Sequence, residues 1–368
     1  MKILSLSLDK SILDKSSAVA QRTLEYGRLV DKYWVLVSAD KNTVINLSEQ
    51  VRVLGVAGNN KLLKLFRIYR LGKKLLTDEN FDIITVQDQY YLGLAGLWLS
   101  QKFNKGLELQ IHGWEKFHGL RVPIAKYVIS HAQAIRAVSQ RLKKQLVHDF
   151  GVSEQKISVV PIYNEIKNHI SPASPSEAGR AKIKNIDKFI FLTVGRLVPI
   201  KNIGLQIEAM AWIVKKYPEA KLWIVGDGPE RDNLKFKVES LKLDVNVKFY
   251  GWQDSLKNFY GQADVFLLTS NYEGWGLAVV EAANYGLPII MTDVGCAGEL
   301  IKDEESGLVI PINDQFRLQD SMAKLMEQPE LRKELGESAK YAVLELPSLE
   351  ETLRRYKESW QIALNMKK

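Results

Sequence analysis

Residues 270–295 read SNYEGWGLAVVEAANYGLPIIMTDVG, and this stretch decides the architecture. Just ahead of it, residues 265–269 form a short apolar run of strand type. Gly274, Trp275 and Gly276 make a turn, residues 277–285 follow as a helix, and residues 288–292 (PIIMT) begin a second strand. A strand, a glycine turn, a helix and a further strand form the βαβ unit of a parallel sheet.

The same alternation runs outward in both directions. Downstream of residue 186, strand-like runs at 189–194, 220–225 and 245–250 alternate with helical segments at 203–216, 230–241 and 256–260. Three amphipathic helices close the chain, at about 315–326, 329–344 and 349–365. Upstream, strands are expected at 2–8, 33–38, 51–56, 82–86, 107–111, 134–138 and 157–161, with helices at 18–30, 60–76, 92–102 and 140–149. Between the halves, SPASPSEAGRAKI at 171–183 has no apolar period and reads as a linker. The expected organisation is α/β: a first doubly wound domain over 1–170, a linker at 171–185, a second over 186–348, and a helix at 349–368 packing back toward the first. Two such sheets facing across a cleft would bind ligands in the loops after their strands.

Composition narrows the function classes. At 368 residues, 46% hydrophobic and 26% charged, the chain is ordinary globular protein and not a disordered one. Its longest apolar run, residues 90–99, is about half a membrane span. No secretory apolar segment follows Met1, and the single Cys296 suits a reducing compartment, so a cytoplasmic protein is expected. One cysteine and five scattered histidines offer no structural zinc site. Residues 1–180 carry 26 Lys/Arg against 16 Asp/Glu, and the remainder 25 against 27. An excess of positive charge confined to one half suits an anionic partner, or is simply a solvated basic surface. No aromatic-interleaved stripe or known module accompanies it, so nucleic acid is not expected.

The loops after the second-half strands carry the chemistry. GRLVPIKN, after 189–194, puts Arg196 and Lys201 near a helix start, where two cations and unpaired amides suit a diphosphate. In VGDGPE, Gly226 and Gly228 form a tight turn that permits close backbone approach. Gly251 and Trp252 open the loop after 245–250. Glu273 lies in the loop before the helix and Glu281 on it, and a carboxylate that accepts two hydrogen bonds suits a ribose diol. The amides of Gly276 and Leu277 are free at the helix start. Singly, each feature also reads as surface charge or an ordinary turn; their regular placement along one sheet edge is the informative part.

In that order, GRL…KN, GDGP, EGWGLAVVEA, GLPII and SGLVIP (306–311) resemble the retaining glycosyltransferases of family 4, with the GT-B fold of two facing Rossmann-like domains. The first half is similar more loosely, through FDIITVQD, LQIHGWE and AVSQRLKKQLVHDFGVSEQKISVVPI. The resemblance implies a nucleotide-sugar donor whose diphosphate is bound by Arg196 and Lys201. It implies Glu273 at the donor sugar, Glu281 at the ribose, amides of the stretch Gly274, Trp275, Gly276 and Leu277 at sugar and phosphate, and His112 reaching the sugar from the first domain. It also implies a hexosyl acceptor that is a glycan or lipid-linked saccharide, and transfer without a covalent intermediate. No cofactor is expected, and with no Asp-x-Asp triplet no metal either. UDP is the expected nucleotide and GDP the second choice, the base resting on backbone near Gly251, Trp252 and the GDGP turn.

Two departures stand out. The family's Gly-Gly loop after the first strand is replaced by SLDKSILDKSSAVAQRTLEY, which leaves Ser16, Ser17 and Arg22 as acceptor-side candidates. The second Gly-Gly is Gly295-Cys296, with Cys296 filling a glycine position near the site. Separately, the stretch from Lys61 to Leu76 (KLLKLFRIYRLGKKLL) sets Leu62, Leu65, Ile68, Tyr69 and Leu76 opposite Lys64, Arg67, Arg70 and Lys74. It reads equally as an interfacial helix on an anionic inner membrane face or as a crossover helix on its own sheet. Competing functions are another GT-B enzyme (a phosphorylase or sugar-nucleotide epimerase) and a non-catalytic sugar-nucleotide-binding protein.

Overall fold

A computed structural model describes residues 1–114, 118–163 and 188–366; the expected linker at 171–185 lies outside the described residues. The chain divides into two compact units, Met1–Tyr163 with Pro347–Lys368, and Asn164–Leu346.

The first unit is built on an eight-stranded sheet ordered β3-β4-β2-β1-β5-β6-β7-β8. Its strands are β1 (Lys2–Ser7), β2 (Lys32–Ser38), β3 (Thr43–Asn46), β4 (Val51–Val56), β5 (Ile83–Val86), β6 (Gly106–Ile111), β7 (Ala134–Ala137) and β8 (Ile157–Val159). All pairings are parallel except β3 with β4. The helices are α1 (Ala18–Gly27), α2 (Lys61–Asp78), α3 (Tyr91–Phe103), α4 (Arg121–His131) and α5 (Gln140–Phe150). Strands such as β1 and β5 are buried along their length, as parallel strands covered on both faces must be.

The second unit holds β9 (Phe189–Val194), β10 (Ala220–Val225), β11 (Val247–Gly251), β12 (Val265–Leu268), β13 (Ile289–Thr292) and β14 (Leu308–Ile310). They form an all-parallel sheet ordered β11-β10-β9-β12-β13-β14. Helices α6 (Ile203–Lys216), α7 (Arg231–Ser240), α8 (Lys257–Gln262), α9 (Leu277–Asn284), α10 (Gln315–Glu327) and α11 (Pro329–Leu344) complete it. Phe191, Leu222, Ile224, Leu267 and Ile290 of the sheet bury against Ile207, Met210 and Ile213 of α6 and Leu318, Met322 and Leu325 of α10. The strand order reverses between β9 and β12, the topological switch point at which open parallel sheets bind ligands.

The last helix, α12 (Leu349–Asn365), belongs to the first unit and packs on β6, β7 and β8. Trp360 is fully buried against the cluster containing Ile3, Tyr33 and Ala134. Beneath it lies a buried carboxylate, Glu108, which accepts from Ser359 Oγ (2.6 Å), Trp360 Nε1 (3.2 Å) and Thr85 Oγ1. The Arg136 guanidinium sits 3.6 Å from Glu108 and 3.5 Å from the centre of the Tyr356 ring.

Helix α2 corrects the expected apolar face. Its buried stripe is Ile68, Gly72, Leu75 and Leu76, and Gly72 lets the helix lie against Leu99 of α3. Leu62 falls about 100° round the helix from that stripe and is 75% exposed, with Phe66 55% exposed beyond it. The helix is therefore a crossover packed on its sheet that also displays apolar side chains beside Arg70 and Lys73.

Candidate active site

The carboxyl end of β9 runs into Gly195 and Arg196, then a single turn of 3-10 helix, Pro199–Lys201. Asn202 adopts a left-handed conformation (φ 48°) and turns the chain into α6. The carboxyl end of β12 runs into Thr269, Ser270 and Glu273. At this junction the Lys201 ammonium and the Glu273 carboxylate form a close ion pair, and Ser270 Oγ donates to the same Glu273 Oε1 at 2.7 Å. Glu273 is only 9% exposed and Lys201 21%, so water screens the pair weakly. Asn271 N donates to Ile200 O at 2.8 Å, which binds the two loops directly. Arg196, on the same β9 loop, is exposed.

The glycines serve the loops' approach to one another. A Cβ on Gly226 (φ 131°) would lie 1.9 Å from Gly195 O, and one on Gly228 2.4 Å from Leu197 O. The GDGP turn therefore packs against the GRL turn, which Leu197 N secures by donating to Asp227 O (2.9 Å). Gly295 (φ 56°) has the same duty: its Cβ would fall 2.5 Å from Trp275 O and 2.8 Å from Glu273 Cβ. Cys296 is wholly buried behind that loop and donates its backbone N–H to Trp275 O (2.8 Å).

Gly276 (φ 100°) caps α9, leaving the amides of Gly276 and Leu277 at the helix N-terminus. Trp275 is turned into the protein, 3% exposed, and its indole N–H meets no acceptor. Only its backbone borders the loop. Trp252, in contrast, is 73% exposed and donates from Nε1 to Asp254 (3.3 Å) just past Gly251, where β11 ends. Glu281 accepts from Tyr260 OH on α8 at 2.9 Å. Burial, and then the Glu281 charge, push the Tyr260 hydroxyl far above its ordinary pKa, so it stays a donor to that carboxylate. Sequence reading missed Ser270 and Tyr260, since a serine in a loop and a tyrosine on a short helix carry no mark of the carboxylates they meet.

In the first unit, His112 follows β6 with its surface open to solvent. Desolvation, then the positive fields of Arg136 and Arg22, lower its pKa to about 4. The imidazole is therefore neutral near pH 7. Ser16 Oγ donates to Asp14 (2.7 Å), and Ser17 caps α1 by accepting from Ala20 N (3.1 Å), so both hydroxyls have local structural duties. Arg22 is half-buried on α1. Among the described residues no His, Cys, Asp and Glu cluster could hold a metal ion.

Comparison with known proteins speaks to the family and the fold. Residues 176–341 match the model of the glycosyl transferases group 1, and residues 32–162 that of glycosyltransferase family 4. A similar protein, 33% identical over 47% of this chain and 46% of its own length, is the UDP-Gal:alpha-D-GlcNAc-diphosphoundecaprenol alpha-1,3-galactosyltransferase of Escherichia coli. The chain spans about half the length of the curated relatives it matches first. Among solved structures, sucrose-phosphate synthase from Thermosynechococcus elongatus superposes with a TM-score of 0.82 at 20% identity, covering 98% of both chains. The HepE protein of Anabaena in complex with UDP and glucose does so at 0.77 and 19%, covering 98% of this chain and 99% of its own. At such identities the structures speak for the fold, which is GT-B. With each half matched by its own model, the chain belongs to glycosyltransferase family 4.

Proposed function

We propose that the protein is a retaining, metal-independent glycosyltransferase. It moves a hexosyl group from a nucleotide-sugar, a UDP-sugar before a GDP-sugar, to a hydroxyl of a glycan or lipid-linked saccharide. The observation that carries this reading is the Lys201–Glu273 pair at the switch point, braced by Ser270. Rupture of the glycosidic bond leaves positive charge on the anomeric carbon and negative charge on the departing diphosphate. Lys201 and Arg196 supply cations for that anion, and a preorganised group of this kind is worth about 3–4 kcal/mol in a transition state. Glu273 holds the ammonium in place and accepts from a sugar hydroxyl, while Glu281, fixed by Tyr260, accepts from the ribose diol. The acceptor hydroxyl attacks on the face the nucleotide leaves, and the leaving phosphate takes its proton. Neutral His112 offers the sugar a hydrogen-bonding ring.

UDP is favoured because the Escherichia coli relative is named for UDP-Gal and the HepE structure holds UDP. That relative's diphosphoundecaprenol acceptor likewise supports a lipid-linked saccharide. Such an acceptor would bring the enzyme to the inner membrane face as a peripheral protein, through α2.

A thermal-shift screen against UDP-, GDP- and ADP-sugars, followed by donor hydrolysis with the best binder, tests the proposal. Lys201→Ala and Glu273→Ala should retain the fold and lose at least about 100-fold in turnover. Full activity in both variants refutes the site.

A further inference from the structure

Helix α6 buries an amide among apolar neighbours. Gln206 is 1% exposed, one turn into a helix whose other buried side chains include Ile203, Leu205, Ile207 and Met210. Its Nε2 donates to Thr269 Oγ1 (2.9 Å) at the end of β12 and to Thr193 Oγ1 (3.3 Å) in β9. One side chain thus bridges the two strands that flank the switch point. Thr269 passes the connection on, donating to Asn202 O (3.0 Å) and Lys201 O (3.3 Å).

A hydroxyl has one hydrogen to donate. Because Gln206 donates to Thr269, that hydrogen is directed at the carbonyls of the Lys201–Asn202 turn. The turn needs such a brace: Asn202 holds a left-handed conformation that a non-glycine residue adopts at a cost. Gln206 Oε1, meanwhile, meets no donor. A buried unpaired acceptor opposes folding, and a methionine of the same length would remove it.

We propose that Gln206 is a positioning residue for the donor diphosphate, acting through Thr269 on the turn that carries Lys201. This rests on the assignment of Lys201 to the diphosphate. The geometry separates the role from simple packing: an apolar residue can make neither of the amide's two hydrogen bonds, to Thr193 and to Thr269, and the second of them orients the hydroxyl beneath the Lys201 turn.

The test uses Gln206→Met and Thr269→Val in the full chain, with UDP and GDP as calorimetric probes and donor hydrolysis as the kinetic readout. Both variants should keep a melting temperature within about 4 °C of the parent, the shift of about 1 kcal/mol in a domain of this size. Both should weaken binding of the nucleotide that the parent binds by about tenfold, with KM for the donor rising more than kcat falls. Lys201→Ala should cost less in the Gln206→Met background than in the parent, the non-additivity of two groups acting as a unit. Unchanged affinity in Gln206→Met, or strictly additive losses, overturns the proposal while leaving the donor site standing. Retained nucleotide affinity in Lys201→Ala alone overturns both.

Discussion

Glu273 and Lys201 stand 72 positions apart in the chain, yet both could be read from local sequence because each sits in a loop of recognisable chemistry. The groups that hold them were not legible. Ser270, Tyr260 and Gln206 act through contacts set by strand order, and a serine, tyrosine or glutamine has no local signature for a partner that folding supplies. The glycines are an intermediate case: their need was visible, but Gly226, Gly228 and Gly295 admit neighbouring backbone, information that only the packing of loops contains. For His112 the environment decides the chemistry. Its folded pKa, about 4, lies below the ordinary value of about 6.5, so between those limits the unfolded chain binds the extra proton. Its contribution to stability is complete above about pH 6.5 and is lost as pH falls toward 4. An NMR titration should find the imidazole neutral down to at least pH 5, and Arg22→Gln should raise the midpoint. A midpoint at or above 6.5 in the parent contradicts this account.

At the scale of elements, long apolar-periodic segments were legible and short or interrupted ones were not. The alternation of strands and helices gave the parallel α/β class, because buried strands and amphipathic helices differ in period. Strand β3 was missed: its four residues, TVIN, are half exposed and gain their order from antiparallel pairing with β4. Helix α4 was missed as well, since Pro123 interrupts its pattern, although a proline in the first turn removes no internal hydrogen bond. Helix α12 was expected, but what fixes it is tertiary. Tyr356 stacks on Tyr26 with ring centres 4.5 Å apart, while Ser359 and Trp360 donate to buried Glu108. Truncating Trp360 removes a fully buried indole and one of the hydrogen bonds that stabilise this carboxylate. Trp360→Ala should therefore cost about 3–5 kcal/mol of stability, read from urea denaturation. A loss below about 1 kcal/mol would mean that the helix is held by its surface contacts instead.

On the scale of the whole molecule, the basic excess of residues 1–180 is the property that no single site explains. None of the described helices is long and apolar enough to cross a membrane. Helix α2 nonetheless shows solvent two large apolar side chains, Leu62 and Phe66, with Arg70 beside the Phe66 ring and Lys61 and Lys73 exposed on the same helix. Lys64 is paired with Asp40, whereas Arg67 donates to Ala57 O and stays exposed, as does Lys74. Near an anionic bilayer each outward cation contributes about 1 kcal/mol, and an inserted phenylalanine or leucine side chain adds about 2 kcal/mol where it leaves water. On an anionic bilayer these contributions would amount to reversible attachment and not to a permanent anchor. The protein should float with vesicles containing phosphatidylserine at low salt, detach as the Debye length shortens toward 3 Å at about 1 M salt, and ignore pure phosphatidylcholine. Leu62→Glu with Phe66→Glu should abolish flotation without lowering the melting temperature, because both side chains are already in solvent. If the parent fails to float with anionic vesicles at low salt, the helix is a crossover element alone, and the basic half is a solvated surface or meets a different anion.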